Sequence, residues 1–396
     1  MSNTAESGWS HAASQLWDAG ERNAAINTSL ALWQQQKTVV LALQNAYFMF
    51  LLNDYKTAAF VLDQQLQHDP EHLDLHTNLA VCCSRMGEPA RALHHAQQAS
   101  RLNPTALTPW DTQAQTLHVL GDEAGAVAAG SESLRLKDLM VSKMVSERGI
   151  AAIEPPAHSA AELADGKKRI ISFALWGSNP RYLRGALRNA LLVGDIYPGW
   201  VCRFHVDASV PDEFLNILRQ LGAEISLQPG NSSLLARLSW RFLVASDPEV
   251  GYFMVRDCDS VISLREARAV QDWLDSGAYF HVMRDWWSHT DLMLAGLWGG
   301  VAGILPSMGE LLAGYRTQSL TTPNIDQWFL RDEIWPRIRA HCRVHDRCFQ
   351  FGNPVAFPGP PATASHHVGQ DEFAAHRAGQ ARLLDAWIAR LPCLAL

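Results

Sequence analysis

Ala12, Ala46, Ala80 and Ala114 stand 34 residues apart, and Ala24, Ala58, Ala92 and Ala126 repeat that spacing. Pro70 and Pro104 form a third ladder, Gly87 and Gly121 a fourth, and His76 and Trp110 share a bulky position near each repeat start. A period of this length is that of one helical hairpin per repeat. A small side chain is needed where the two helices approach closely, and proline ends the second helix and sets the turn into the next hairpin. The first third of the chain must therefore stack as a helical array.

These small-residue and proline positions resemble the tetratricopeptide repeat family, as four repeats over residues 5–138. Lys37 and Asp138 stand where proline is expected in the first and last repeats. The resemblance implies an α-solenoid that presents a concave surface to a peptide or protein, or that serves as the dimerisation element of a homo-oligomer. Gln44, Asn45, Asn78, Gln113 and Gln115 are candidates to line that surface, with solvated helix faces as the plain alternative. Residues 139–168, containing Glu154-Pro155-Pro156, lack core periodicity and read as a linker.

From Arg169 the pattern changes. Ile170-Ile171-Ser172-Phe173-Ala174-Leu175-Trp176 is a short, partly β-branched and aromatic run, which predicts a buried strand. Further strands are expected at 200–206, 223–227, 252–255 and 281–285, with helices at 182–193, 212–221 and 234–245. Alternating strands and helices predict a mostly parallel, doubly wound α/β sheet over residues 169–396. Ligands of such sheets bind beyond the carboxyl ends of the strands.

At one such end stands Arg256-Asp257-Cys258-Asp259-Ser260. Two aspartates one residue apart, where a strand turns into a loop, both reach one divalent ion. Hard cations such as Mg²⁺ or Mn²⁺ take carboxylate oxygen and keep positions for substrate phosphates. A metal bridging a diphosphate neutralises charge that builds on the leaving group. Most Asp-x-Asp pairs are solvated loop residues; the strand that delivers this one is what distinguishes it.

That stretch looks like the Asp-x-Asp motif of the GT-A glycosyltransferases, and the resemblance extends over about 169–370. Arg237-Leu238-Ser239-Trp240-Arg241 is similar to the basic segment which that family places near the diphosphate. Ala295-Gly296-Leu297-Trp298-Gly299-Gly300 resembles its small-residue segment, and Asp326-Gln327 its Asp-Gln motif in the glycogenin-like branch. His366-His367-Val368-Gly369 resembles a late His-x-x-Gly whose histidine is a metal ligand. The resemblance implies a Rossmann-like GT-A domain following the array. Its site would use Asp257, Asp259 and His366 (with His367 as competitor) on Mn²⁺ or Mg²⁺. Arg237, Arg241, Asp257, Trp298 and Gly299 would hold a nucleotide-sugar donor, UDP-linked by expectation. Lys-Pro-Trp does not follow Gly369, and no Asn-x-Gly precedes the small-residue segment, so this chain departs from the glycogenin-like branch there.

Asp285 ends the strand expected at 281–285 and is a candidate catalytic base or sugar-hydroxyl ligand; a structural ion pair with Arg284 or another nearby cation is the alternative. Asp326 and Gln327 are further catalytic candidates. Arg237 and Arg241 have surface pairing with Asp247 or Glu249 as their plain reading. Among the tryptophans, Trp286, Trp287 and Trp298 lie beside these motifs and are candidates to stack on a sugar, while the rest fill core. His341, Cys342, His345 and Cys348 have zinc-ligand types without separated knuckle spacing, which favours a buried strand edge.

The chain has 396 residues and a formal charge of −7, a size for two domains and a sign against a general nucleic-acid binder. The apolar run at 39–52 is too short and too polar to span a bilayer. Seven scattered cysteines and no visible secretory signal suit a cytoplasmic protein with reduced thiols. The expected function is metal-dependent transfer of a sugar to an acceptor, protein or peptide, recruited by the array. The competing expectation is a non-catalytic adaptor with a degenerate transferase domain. A two-metal hydrolase ranks last, because only one compact acidic motif is visible.

Overall fold

The computed structural model describes residues 8–154, 156–317, 324–360 and 366–395. Residues 5–7 of the expected array and residue 155 of the expected linker lie outside the described residues. The chain divides into two compact units, Met1–Lys137 and Asp138–Leu396.

The first unit is a tetratricopeptide-type array of helix pairs: α1 (His11–Asp18) and α2 (Arg22–Gln36), α3 (Val39–Leu51) and α4 (Tyr55–Leu66), α5 (Leu73–Arg85) and α6 (Pro89–Leu102), α7 (Leu107–Val119) and the start of α8 (Glu123–Arg148). Ala46, Ala58, Ala80, Ala92, Ala114 and Ala126 are fully buried, as close helix approach requires. The first repeat differs. Ala12 is exposed and Ala24 only partly covered, while Ala13 and Ala25 are buried in their place. Lys37, in the left-handed region at φ 52°, closes this repeat without proline and shortens its period by one residue.

Each turn within a pair passes through a positive φ: Gly20 at 85°, Asn53 at 61°, Gly87 at 73° and Gly121 at 84°. Glycine and asparagine tolerate that conformation where a Cβ-branched residue would be strained. The bulky ladder position also has a role. His76 Nε2 and Trp110 Nε1 both donate to the carbonyl of the proline six residues earlier, Pro70 at 3.0 Å and Pro104 at 2.9 Å. Gln44, Asn45 and Gln113 do not line a surface. They are buried, and Gln44 ties α3 to Ser10 and Ser14 while Gln113 ties α7 to Ser100 of α6. Asn78 and Gln115 are partly exposed.

Residues 139–148, expected as linker, continue α8. Within the second unit its end is anchored: Asp138 accepts from Trp335 Nε1 at 2.7 Å and pairs with Arg339 at 3.0 Å. After α9 (Ala160–Ala164) comes a seven-stranded mixed sheet with order β3-β2-β1-β4-β6-β5-β7. Its strands are β1 (Lys168–Leu175), β2 (Trp200–Val206), β3 (Glu224–Leu227), β4 (Val250–Val255), β5 (Phe280–Arg284), β6 (Trp298–Val301) and β7 (Cys342–Asp346). Only β6 runs antiparallel to its neighbours. The helices α10 (Pro180–Ile196), α11 (Asp212–Gln220), α12 (Leu234–Ser239) and α13 (Leu264–Ser276) follow β1, β2, β3 and β4 in turn. The helix expected over 234–245 is α12 followed by a 3₁₀ segment, Trp240–Ser246. β6 was not anticipated, because Trp-Gly-Gly-Val lacks strand alternation.

One face of the sheet packs Phe173, Phe204, Leu183, Leu187, Phe214 and Trp273 into the main core. Trp298 is fully buried against Phe242 and Phe253, with ring centroids 5.7 and 5.1 Å away.

Candidate functional site

β4 delivers Asp257 and Asp259 to the carboxyl edge of the sheet, beside the end of β1. The loop is clamped. Arg256 N–H donates to Ser172 O at 3.0 Å, and Asn189 of α10 both donates to Ser260 O and accepts from Ile262 N–H. α10 presses close: a Cβ at Gly185 would stand 1.8 Å from Cys258 O. A Cβ at Gly296 would stand 2.1 Å from Asp257 Oδ2, so the small-residue segment lets backbone approach the aspartate. Cys258 points inward, donating to Ala174 O at 3.3 Å, and burial raises its thiol pKa well above the ordinary range.

Above this edge is a cavity of about 330 Å³, lined among others by Trp176, Arg181, Tyr182, Arg241, Asp257, Asp259 and Asp371. A second cavity of about 240 Å³ shares Leu238, Arg241, Asp257 and Gly369 with it and adds His289, Gly296, Asp326 and Gln327. Arg241 is the partition. Its guanidinium pairs with Asp257 on one side and with Asp326 Oδ2, at 3.0 Å, on the other. Burial works against that charge, yet the two carboxylates hold its pKa above the ordinary value. Arg181 Nη2 reaches both Asp259 Oδ2 at 2.6 Å and Asp371 Oδ2 at 2.8 Å. Burial, then the charge of Asp257, pushes the Asp259 carboxyl up to about 6 against the pull of Arg181. Burial likewise raises Asp326, with Arg241 opposing.

Several expected site residues are placed elsewhere. Asp285 is fully buried and saturated: Arg265 binds both its oxygens at 2.6 and 2.7 Å, and Val368 N–H donates to Oδ2 at 3.0 Å. It is a structural ion pair, with Arg265 rather than Arg284, and holds the Val368–Gly369 turn. Arg284 pairs with Asp346 at 2.6 Å. Trp298 and Gly299 lie inside the sheet; a Cβ at Gly299 would meet Phe253 O at 2.5 Å, so glycine there serves strand packing.

Trp287 is also buried, and Trp286, partly buried, stacks on His367 at 4.7 Å with the Arg347 guanidinium 5.6 Å from its ring. His366 and His367 line a third cavity, of about 300 Å³, with Arg265 and Arg268, and are not among the residues lining the aspartates' cavity. Among the described residues no three His, Cys, Asp or Glu side chains are grouped to hold a metal, and the zinc reading of residues 341–348 falls with that. His345 instead faces His281 at 2.8 Å and Asp272 at 3.1 Å. Arg237 stands 3.5 Å from Asp207, and Asp247 is taken by Arg203.

Sequence reasoning did not assign Arg181, Tyr182 or Asp371. The first two open α10 directly after β1, where the strand-end rule could have found them. Asp371 sits two residues past Gly369, and nothing in its immediate sequence marks it.

The tetratricopeptide repeat family model matches residues 49–117. The heat shock protein sti1 homolog of Schizosaccharomyces pombe is 27% identical over 129 residues, 30% of this chain and 22% of that protein. The chain thus spans less than a quarter of that relative's length. Among solved structures, MamA is 14% identical with TM-score 0.31, over 35% of this chain and 79% of its own. A thermophilic TPR protein of Thermus thermophilus is 15% identical with TM-score 0.27, over 34% and 79%. Residues 49–117 of the first unit thus match tetratricopeptide repeats. No helix among the described residues is long and apolar enough to cross a membrane.

Proposed function

We propose that the second unit binds a nucleotide-sugar donor and transfers its sugar to a protein or peptide brought by the repeats. The observation that carries this reading is the strand-edge cavity where Asp257, Asp259 and Asp371 meet Arg181 and Arg241. Carboxylates and guanidiniums side by side are the two halves of a cation–diphosphate site: the first hold a divalent ion, the second hold phosphate oxygens bidentately. The carboxylates of Asp257 and Asp259 are the donor type that a hard cation, Mn²⁺ or Mg²⁺, takes, and two such ligands would leave positions for phosphate oxygens. Such an ion would supply charge neutralisation at the leaving diphosphate. Tyr182 and Trp176 offer the apolar wall of the first cavity, and Asp326 and Gln327 the polar groups of the second, large enough for a monosaccharide. The sheet, with six parallel strands and the carboxyl-edge cavity, is consistent with a GT-A-like domain. A cytoplasmic setting suits the unpaired thiols.

The second reading is a non-catalytic adaptor. It is favoured by the repeats, the part of the chain that the family comparison recognises, and by the arginine already paired to each motif aspartate.

The deciding measurement is thermal unfolding with UDP, GDP or phosphate, with and without Mn²⁺, on the wild type and on Asp257→Ala and Asp259→Ala. A nucleotide at about 100 times its dissociation constant is expected to add roughly 2.7 kcal/mol, only with Mn²⁺ and both aspartates. No shift in folded protein transfers the assignment to the adaptor.

A further inference from the structure

The cavity of about 240 Å³ on the Asp326 side of Arg241 is lined by His289, a side chain only 7% exposed. The ring is set from the backbone. Asp285 N–H donates to its Nδ1 at 3.0 Å, and His289 N–H donates to Trp286 O at 2.9 Å. An Nδ1 that accepts carries no proton, so the proton of the neutral imidazole is on Nε2. Burial, with His367 and Arg284 adding to it, holds the pKa down at about 3, and this tautomer therefore persists at neutral pH.

Nε2–H has no hydrogen-bond partner among the described residues. With Nδ1 turned to the backbone, it is the polar atom that the ring can present to the cavity it lines. The side-chain amide of Gln327, on the same cavity, is also without a partner among the described residues; only its backbone N–H is used, donating to Asp326 Oδ1 at 2.9 Å. Asp326 Oδ2 is given to Arg241, the one cation among the lining residues, which Asp257 shares. Unmet polar groups in so buried a place are costly, and a ligand that meets both is the most economical explanation of them.

We propose that His289 is a specificity residue for the transferred sugar, its Nε2–H donating to a hydroxyl oxygen of an uncharged hexose, an inference resting on the nucleotide-sugar reading above. A hydroxyl both accepts and donates, so it meets an imidazole N–H and an amide oxygen alike. A uronate carboxylate has no proton to donate and shares the cavity with Asp326. It also finds no spare cation there, because Arg241 is held by two carboxylates and His289 is neutral. A protonated amino sugar cannot accept the Nε2–H where its ammonium group faces the ring. The discrimination depends on the fixed tautomer, and the strand end that fixes it is itself held, since Arg265 binds both oxygens of the Asp285 side chain.

The test is calorimetric binding to the full-length chain, with Mn²⁺, of UDP and GDP and of UDP-glucose, UDP-galactose, GDP-mannose and UDP-glucuronate. At least one neutral sugar nucleotide is expected to bind roughly 5- to 10-fold tighter than its parent diphosphate, and UDP-glucuronate no tighter than UDP. His289→Asn keeps an acceptor for Asp285 N–H and withdraws the N–H from the cavity. It should retain the affinity for the parent diphosphate and lose the gain that the sugar brings. His289→Gln extends an amide N–H to the Nε2 position and should recover part of that gain. Thermal unfolding checks that both variants fold, and the wild-type comparison of neutral with uronate donors stands without them. An unchanged sugar gain in folded His289→Asn, a preference for UDP-glucuronate, or a diphosphate bound with no gain from any sugar overturns the assignment and leaves the nucleotide site standing. Binding of neither diphosphate overturns the nucleotide reading itself.

Discussion

At the residue scale, Asp285 separates what a sequence pattern suggests from what packing does. A carboxylate at a strand end, beside tryptophans and a motif-bearing loop, has the profile of a catalytic base. Here both its oxygens are filled, and nothing of it reaches solvent. Asp285→Ala leaves the Arg265 guanidinium short of its main counter-charge and Val368 N–H without an acceptor. We expect a loss of roughly 3–5 kcal/mol in unfolding free energy, as for breaking one side of a buried ion pair. Denaturant unfolding checks this; a fully stable variant would restore a purely functional role. Asp257 and Asp259 were legible because a strand announced them. Gly185 was not, because its significance is the carbonyl of Cys258 across a helix–loop contact, which no local pattern encodes.

At the element scale, the array was readable from its ladders, and its first repeat was misread by one residue. A ladder reports spacing; burial depends on how each hairpin closes, and Lys37 closes the first one differently. The joint between α5 and α6 offers a measurable consequence. His76 Nε2 donates to Pro70 O, so its Nδ1 must accept from His95 Nδ1, 3.0 Å away. Burial disfavours the charged form of both rings. Burial first, then His76, His94 and Arg91 hold the His95 pKa down at about 4; burial lowers His76 as well, with His94, Arg101 and His72 adding to it. The unfolded chain takes up these protons near the ordinary histidine value of about 6.5. The stabilising difference is thus complete above about 6.5 and is lost as pH falls toward 4. Relative to His95→Gln, the wild type should lose roughly 2 kcal/mol across that window, allowing for solvent screening. Unfolding at pH 7 and pH 4 measures it, and parallel pH profiles would contradict it.

At the scale of the whole molecule, the two units raise a question of energetics. Each has its own core: Trp33, Leu41, Leu62, Leu75 and Leu79 in the array, and Phe173, Phe204, Phe214 and Trp273 in the sheet. A ligand of the strand-edge cavity stabilises only the state that contains the cavity. A core truncation in the array acts on the other core. Leu79→Ala, at a fully buried position, should cost roughly 2–5 kcal/mol from lost transfer energy and the void left behind. Scanning calorimetry of the intact chain is therefore expected to resolve two transitions. Leu79→Ala should lower one of them, and UDP with Mn²⁺ should raise the other by the same amount in variant and wild type. Additivity of this kind is the signature of sites that share no partners. If the truncation instead abolished the nucleotide-dependent shift, the repeats would be part of the donor site's stability and not only a means of bringing an acceptor. The division of labour on which the transferase reading depends would then have to be redrawn.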